Sequence, residues 1–150
     1  MTAPLTFREA EETDLPAVLA LYAQPDMDGE TELTEAETLV IFRRMKTYPD
    51  YKVYVAVLGE AIVGTYALAV MDNLAHRGAR SGLIEDVVVS DTLQGQGIGR
   101  QMMRDALNRC REAGCYKAAL SSNLKRERAH RFYESLGFEK HGYSFYTDIK

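Results

Sequence analysis

Hydrophobic positions recur along this chain with two different periods, and the changes of period divide it into helices and strands. Helical spacing marks four segments, near residues 15–22, 34–47, 97–113 and 129–136. The apolar face of the first helix comprises Leu15, Val18, Leu19 and Tyr22. We expect Thr13 or Asp14 to cap this helix, and a capping box at Thr34–Glu37 to start the second.

Runs of β-branched and aromatic residues predict the strands, with polar turns between them. They span residues 5–8, 51–58, 61–70, 83–90 and 116–121, and a last hairpin is expected from residues 138–141 and 143–149. The strand–helix–strand order of residues 83–121 favours a right-handed crossover between parallel strands. The chain is therefore predicted to be one α+β domain, with helices on both faces of a mixed, mostly antiparallel sheet of about seven strands.

Composition narrows the class of protein rather than the fold. A length of 150 residues suits one domain, and a net charge of -4 argues against a nucleic-acid partner. No apolar run approaches the ~20 residues that cross a bilayer, so no membrane partner is expected. Residues 1–6 do not resemble a signal peptide, and the cysteines Cys110 and Cys115 suggest neither a disulfide framework nor a metal site. A cytoplasmic location is the resulting expectation.

The strongest chemical signal is the glycine-rich stretch Gln94–Gly99, which follows a run of three valines and opens a helix. Free amides at a helix N-terminus bind anions, and glycines let a ligand approach the backbone closely. A P-loop would need Lys and then Ser or Thr after the last glycine, but Arg100 and Gln101 stand there. A dinucleotide fingerprint would need its third glycine at Arg100. A different phosphate-bearing ligand, or a turn without a ligand, remains.

The spacing Gln-x-x-Gly-x-Gly resembles the acetyl-CoA pyrophosphate loop of the GNAT superfamily of N-acetyltransferases. Further blocks resemble its glucosamine-6-phosphate N-acetyltransferase branch, in the same order along the chain: residues 84–87, 114–117, 132–134 and 137–138. Residues 120–123 and 128–133 are instead similar to bacterial small-molecule GNAT enzymes. The resemblance covers essentially the whole chain and implies a GNAT fold, acetyl-CoA as co-substrate and no metal.

The resemblance also implies which residues hold acetyl-CoA. The amides of Val87 and Val89 would face the thioester and the pantetheine arm, provided that this strand separates from its parallel neighbour after Val87. The valine side chains are expected to be core, and Asn123 is as readily explained by a turn. The implied cofactor-binding residues are Val87, Val88, Val89, Gln94, Gly95, Gln96, Gly97, Ile98, Gly99, Arg100 and Asn123.

Acetyl transfer to an amine needs a proton acceptor for the amine and a proton for the departing thiolate. By resemblance Tyr133 would protonate or hydrogen-bond the sulfur, although its helix face also suits a core aromatic residue. Glu85 is the candidate base or water-positioning residue, because strand alternation places it on the same face as Val87. Asp86 and Ser121 are candidates for binding the acceptor, and Glu85, Asp86 and a water chain all remain open as the base.

The identity of the acceptor is not fixed by the sequence. Ser121 stands where the glucosamine-phosphate branch has an aspartate, which puts a sugar phosphate in doubt. A cationic amine is favoured by the acidic residues before and within the second helix: Asp26, Asp28, Glu30, Glu32, Glu35 and Glu37. An anionic group is favoured by His76, Arg77 and Arg80. These two indications point in opposite directions.

The predicted function is direct, ternary-complex transfer of an acetyl group from acetyl-CoA to a primary amine of a small molecule. Two alternatives are acetylation of a protein or peptide amine and a non-catalytic acyl-CoA sensor. Homodimerisation is common in the family and usually involves the C-terminal strands. Tyr143, Phe145 and Tyr146 are the aromatic residues that would support it here.

Overall fold

The computed structural model describes residues 3–25 and 33–149, which fall into two compact units, residues 1–119 and 120–150. The strands of the first unit are β1 (Leu5–Glu9), β2 (Tyr51–Leu58), β3 (Ala61–Met71), β4 (Arg80–Val89) and β5 (Cys115–Ala119). Its helices are α1 (Leu15–Tyr22), α2 (Glu35–Met45) and α3 (Ile98–Glu112), and the second unit holds α4 (Glu127–Ser135). Within the described ranges, no helix is long and apolar enough to cross a membrane.

In the described ranges the sheet has five strands in the order β1-β2-β3-β4-β5, of which only the β4–β5 pair is parallel. The prediction that these two strands are parallel is thus confirmed, whereas the prediction of about seven strands is wrong. Residues 138–149 form no strand in the part of the chain that the structure describes. Their aromatic residues favour a strand, but local composition does not provide a partner strand, and Phe145 remains 90% exposed.

Helices cover both faces of this sheet, as predicted. On one face, α1 and α2 pack on a cluster that includes Phe42, Val55 and Ala67. Alternate β3 residues point to the other face, where the hydroxyl of Tyr66 donates to Asp105 of α3 at 2.6 Å. The site described below therefore lies along a strand, β4, that is packed from both sides.

The capping prediction was right for α2, whereas at α1 Asp14 is the N-cap residue, as expected, but its side chain does not bond to the helix amides. At α2 the Thr34 hydroxyl accepts from the Glu37 amide, and the Glu37 carboxylate accepts from the Thr34 amide, both at 3.1 Å. Asp14 instead accepts two bonds from Arg8, at 2.6 and 2.9 Å, and one from the Glu11 amide at 2.7 Å. The guanidinium of Arg8 carries a charge at neutral pH and binds both carboxylate oxygens, so it takes the place of the helix amides.

Candidate acetyl-CoA cleft

A β-bulge interrupts β4 at the predicted catalytic residues. Glu85 pairs with Ala67 and Val88 with Thr65, so Asp86 and Val87 together lie opposite Tyr66. Asp86 has a φ of 52°, a left-handed conformation that Asp tolerates better than most residues. Glu85 therefore shares a face with Val88 and not with Val87. The alternation argument used for Glu85 was wrong because the bulge inserts one residue.

The two parallel strands separate earlier than the sequence predicted. Their pairing ends at Leu83 and Ala119, well before Val87. From Ile84 onward, no strand among the described residues pairs with the β5-facing edge of β4. The main-chain groups on this edge therefore have no partner strand among the described residues, as the resemblance requires for a bound pantetheine arm.

Strand alternation shows which main-chain groups face the open edge. The Ser90 amide donates to the Val63 carbonyl of β3 at 2.8 Å. Val88 consequently directs its amide toward β3, and Val89 directs its amide and carbonyl toward the open edge. Val89 is thus better placed than Val88 for a main-chain contact, while the Val88 side chain is buried core. Val87 lies inside the bulge, where simple alternation does not apply.

A glutamine that the sequence analysis missed binds the end of this edge. Gln24, two residues after α1, donates from Nε2 to the Val89 carbonyl at 3.1 Å. Its Oε1 accepts from the Asp91 amide at 2.9 Å. No local signal identifies this residue, because its partners lie 65 and 67 positions away in the sequence.

The glycine-rich loop leads from this edge into α3. Gly95 and Gly97 have φ values of 83° and 82°, and a Cβ built on either would meet no atom within 4 Å. The glycines are therefore required for the backbone conformation, and the space in front of them is open. Gly97 is the N-cap, and no side chain among the described residues caps α3. Its first amides can accordingly bind an anion.

The other predicted loop residues differ in exposure. Gln94 and Gln96 are exposed, Gly99 and Arg100 lie half-buried in the first turn of α3, and Ile98 is 5% exposed. The Ile98 side chain therefore belongs to the core, which leaves only its main chain for a ligand. The loop geometry fits a pyrophosphate held mainly by backbone.

Two carboxylates and two tyrosines come together beside the bulge. Burial raises the pKa of Asp86 above its ordinary value, although the residue keeps surface exposure. Burial and the neighbouring Asp86 raise the pKa of Tyr22, and the pKa of Tyr51 is raised by burial and by both Glu85 and Asp86. A carboxylate whose pKa is raised toward neutrality is a better proton acceptor.

In the second unit, Tyr133 packs in a small aromatic cluster of α4 and the residues after it. Its ring centroid lies 5.3 Å from that of Phe132 and 5.8 Å from that of Phe138. Burial raises its pKa, and Arg126 lowers it by a smaller amount. The phenol is therefore protonated at neutral pH, which is the state that a proton donor needs.

Asn123 and Ser121 lie before α4. The Asn123 side-chain oxygen accepts from the Lys125 amide at 2.9 Å, and its carbonyl bonds His130 Nε2 at 2.8 Å. This is the turn-forming role that the sequence left open. Ser121 is exposed. Contacts of either residue with a ligand remain predictions.

The charged groups considered for the acceptor are partly engaged elsewhere. Arg80 forms ion pairs with Asp50 at 2.7 Å and with Asp72 at 3.2 Å, and these pairs stabilise the start of β4. Glu37 is used in the α2 cap, and the acidic residues 26–32 lie outside the described ranges. Across the described ranges, no group of three or more His, Cys, Asp or Glu side chains is arranged to hold a metal ion.

Comparisons with known proteins show which family of proteins this chain belongs to. The profile described as "Acetyltransferase (GNAT) family" matches residues 15–138. A glucosamine 6-phosphate N-acetyltransferase of Trypanosoma brucei brucei is 32% identical over 149 residues, covering 97% of this chain and 96% of its own. An aminoalkylphosphonate N-acetyltransferase of Salmonella typhimurium is 33% identical over 97 residues, covering 65% and 62% of the two chains.

A solved structure agrees with these relatives. A putative acetyltransferase from Agrobacterium tumefaciens superposes with a TM-score of 0.90 at 31% identity, covering 96% of this chain and 99% of its own. The fold and the relatives together define the protein as an acyltransferase of the N-acetyltransferase class. The chain belongs to the GNAT acetyltransferase family.

Proposed function

We propose that this protein transfers the acetyl group of acetyl-CoA directly to a primary amine of a small molecule. The observation that carries the proposal is the β4 edge that β5 leaves unpaired after Leu83, which carries the Val89 amide and leads into the glycine loop and the N-terminus of α3, where no side chain caps the helix. Main-chain groups in this order suit an extended amide-containing arm that ends in phosphates. The residues that would hold it are Val87, Val89 and the backbone of 94–100, with Asn123 a further candidate.

The chain's own carboxylates are suited to the amine half of the reaction. An amine with a pKa of ~10.4 must lose a proton before it attacks, which costs ~4.6 kcal/mol at neutral pH. Glu85 and Asp86 lie at the β4 bulge, on the stretch that β5 leaves unpaired, and either can receive that proton directly or through water. Bound acetyl-CoA supplies the acetyl group as a thioester, whose C–S bond breaks as the C–N bond forms.

Tyr133 is the proposed proton donor to the departing sulfur. Its phenol keeps the proton at neutral pH because burial raises the pKa. A proton delivered to the thiolate balances the one that the amine gives up. The two cysteines do not suggest a covalent acetyl-enzyme, since Cys110 is buried and burial raises its pKa to about 11.

We further propose that the acceptor carries a phosphate or phosphonate group besides its amine. The acceptors named for the two relatives, a glucosamine phosphate and an aminoalkylphosphonate, share these two groups and little else. With Ser121 unable to act as a carboxylate base, the base role passes to the carboxylates of β4. Loss of kcat in the Asp86→Asn variant described below tests the role of Asp86.

Matched acceptor pairs test this proposal. Release of free CoA is measured with glucosamine 6-phosphate against glucosamine, and with 2-aminoethylphosphonate against ethylamine. We expect kcat/KM to be at least ~10-fold higher for the phosphorus-containing member of a pair, the effect of roughly one charged contact. Equal rates within both pairs would refute the acceptor class. Turnover of peptides alone would favour a protein acetyltransferase, and acetyl-CoA binding without turnover of any amine would favour a sensor.

We also propose that the protein is a homodimer formed through its C-terminal segment. The support is the exposure of four apolar side chains between 87% and 93%: Tyr143, Phe145, Tyr146 and Ile149. Isolated exposed apolar residues are ordinary, but four within seven positions form a patch.

A further inference from the structure

Gln24 makes an unusual pair of contacts with the end of β4. One side-chain amide group both donates to the Val89 carbonyl at 3.1 Å and accepts from the Asp91 amide at 2.9 Å. Gln24 is half-buried, as a side chain that lies along another element should be. Both of its hydrogen-bonding functions are thus used on main-chain groups two residues apart.

This pattern matches a neighbouring parallel strand. A residue in such a strand donates to the carbonyl before its partner and accepts from the amide after it. The side-chain amide of Gln24 makes the same two bonds, because it donates to the Val89 carbonyl and accepts from the Asp91 amide. Ser90 is therefore in the partner position. On the opposite edge, the Ser90 amide donates to Val63 of β3 at 2.8 Å. The end of β4 is therefore held from both sides although β5 no longer accompanies it.

The two hydrogen bonds of Gln24, which we call the Gln24 clamp, lie next to the proposed cofactor site. β5 pairs with β4 only up to Leu83, and Gln24 binds at Val89 and Asp91. The open edge between these two limits is the stretch that contains the bulge and the Val89 amide. Asp91 starts the 3-10 turn Asp91–Leu93, and the glycine loop follows at Gln94. Movement at Val89–Asp91 would therefore be passed directly to the loop.

We propose that Gln24 is a positioning residue for acetyl-CoA, which fixes the end of β4 and the start of the glycine loop through its side-chain amide. It links the C-terminal end of α1 to the cofactor loop, and it limits how far along β4 a bound arm can pair. The inference rests on the proposed function, because it needs acetyl-CoA to occupy the β4 edge.

Binding measurements on Gln24→Ala test the proposal without knowledge of the acceptor. By calorimetry we expect the Kd for acetyl-CoA to rise ~10-fold, the scale of one or two lost main-chain contacts. Affinity for adenosine 3′,5′-bisphosphate, which keeps one phosphate for the glycine loop but lacks the pantetheine arm, should fall less than the affinity for acetyl-CoA. Gln101→Ala, an exposed glutamine of α3, is the matched control and should bind acetyl-CoA as the wild type does.

Two further readouts separate positioning from general stability. Once an acceptor is known, Gln24→Ala should raise KM for acetyl-CoA while kcat at saturation changes less than threefold. Hydrogen exchange of the Asp91 amide should be faster in this variant than in the wild type. Gln24→Glu keeps an acceptor for the Asp91 amide but loses the donor to Val89, so it should also bind weakly if Gln24→Ala fails to fold. Wild-type protein that does not bind acetyl-CoA would overturn the proposed function. If the wild type binds acetyl-CoA and both Gln24 variants bind it with the same affinity as the wild type, this inference alone would be overturned.

Discussion

Asp86 combines an unusual backbone conformation with a perturbed ionisation. Its φ of 52° results from the β4 bulge, and the same bulge brings its carboxyl toward Tyr22 and Tyr51. Burial there raises its pKa above the ordinary 3.8. The stability contributed by neutral Asp86 is fully present below the unfolded pKa and is lost as the pH rises through the folded-state pKa. At neutral pH the ionised group is therefore a stability cost.

We predict that Asp86→Asn raises the free energy of unfolding at pH 7 and lowers kcat. Asn tolerates the left-handed conformation and carries no charge, so only the ionisation is removed. The stability difference should shrink as the pH falls toward 3.8, the ordinary value. Denaturant unfolding between pH 7 and pH 4 measures it, with the exposed Asp148→Asn as control. A difference that does not depend on pH would contradict this account.

For Tyr133→Phe we predict a loss of ~10²-fold or more in kcat, the usual contribution of general acid catalysis. KM for acetyl-CoA should change little, because the ring and its contacts with Phe132 and Phe138 are kept. Steady-state kinetics measure both constants. Tyr143→Phe, which alters a hydroxyl on an 87% exposed side chain, is the control. Full activity of Tyr133→Phe would remove the residue from the mechanism.

At the scale of the elements, α3 and β4 are fitted closely at Gly82. A Cβ at this position would lie 2.6 Å from Cys110 Sγ and 3.5 Å from a methyl group of Leu68. Cys110 is itself 4% exposed, so its thiol has little room to move. The absence of a side chain at residue 82 therefore lets α3 lie against the strand that carries the site.

We predict that Gly82→Ala lowers the free energy of unfolding by about 1–3 kcal/mol, the usual cost of overpacking. Adding Cys110→Ala removes the sulfur and should recover most of that loss, so the two changes would be non-additive. Thermal or denaturant unfolding of both single variants and the double variant measures the coupling. Additive losses would show that the strain lies in the backbone and not at the sulfur.

The elements also show what local sequence can predict. The α2 capping box depends on neighbours a few residues apart, and it was predicted. The β4 bulge depends on register with β3, and the Gln24 clamp joins residues 65 positions apart. The residue types of the site were therefore identified, while the face of Glu85 and the support for Val89 were not.

At the scale of the whole molecule, two features of the described residues suit an interface: an edge strand of the sheet and the exposed apolar side chains of the C-terminal segment. β5 is the last strand of the sheet, and Tyr116 on it is 46% exposed. The residues after Phe138 include four exposed apolar side chains but form no strand in the part that the structure describes. Edge strands and exposed apolar patches both favour pairing with another chain. A second copy of this chain supplies both features at once.

The magnitude of the exposed surface supports such a dimer. Three aromatic side chains bring roughly 450–750 Å² per chain, close to the ~800 Å² per partner of a standard interface. We predict twice the chain mass by light scattering for the wild type and a single chain mass for the Phe145→Ser, Tyr146→Ser double variant. Val40→Ser, which removes an apolar side chain that is 60% exposed on α2, should leave the mass unchanged. A wild type with a single chain mass would refute the dimer, and a dimeric double variant would place its interface elsewhere.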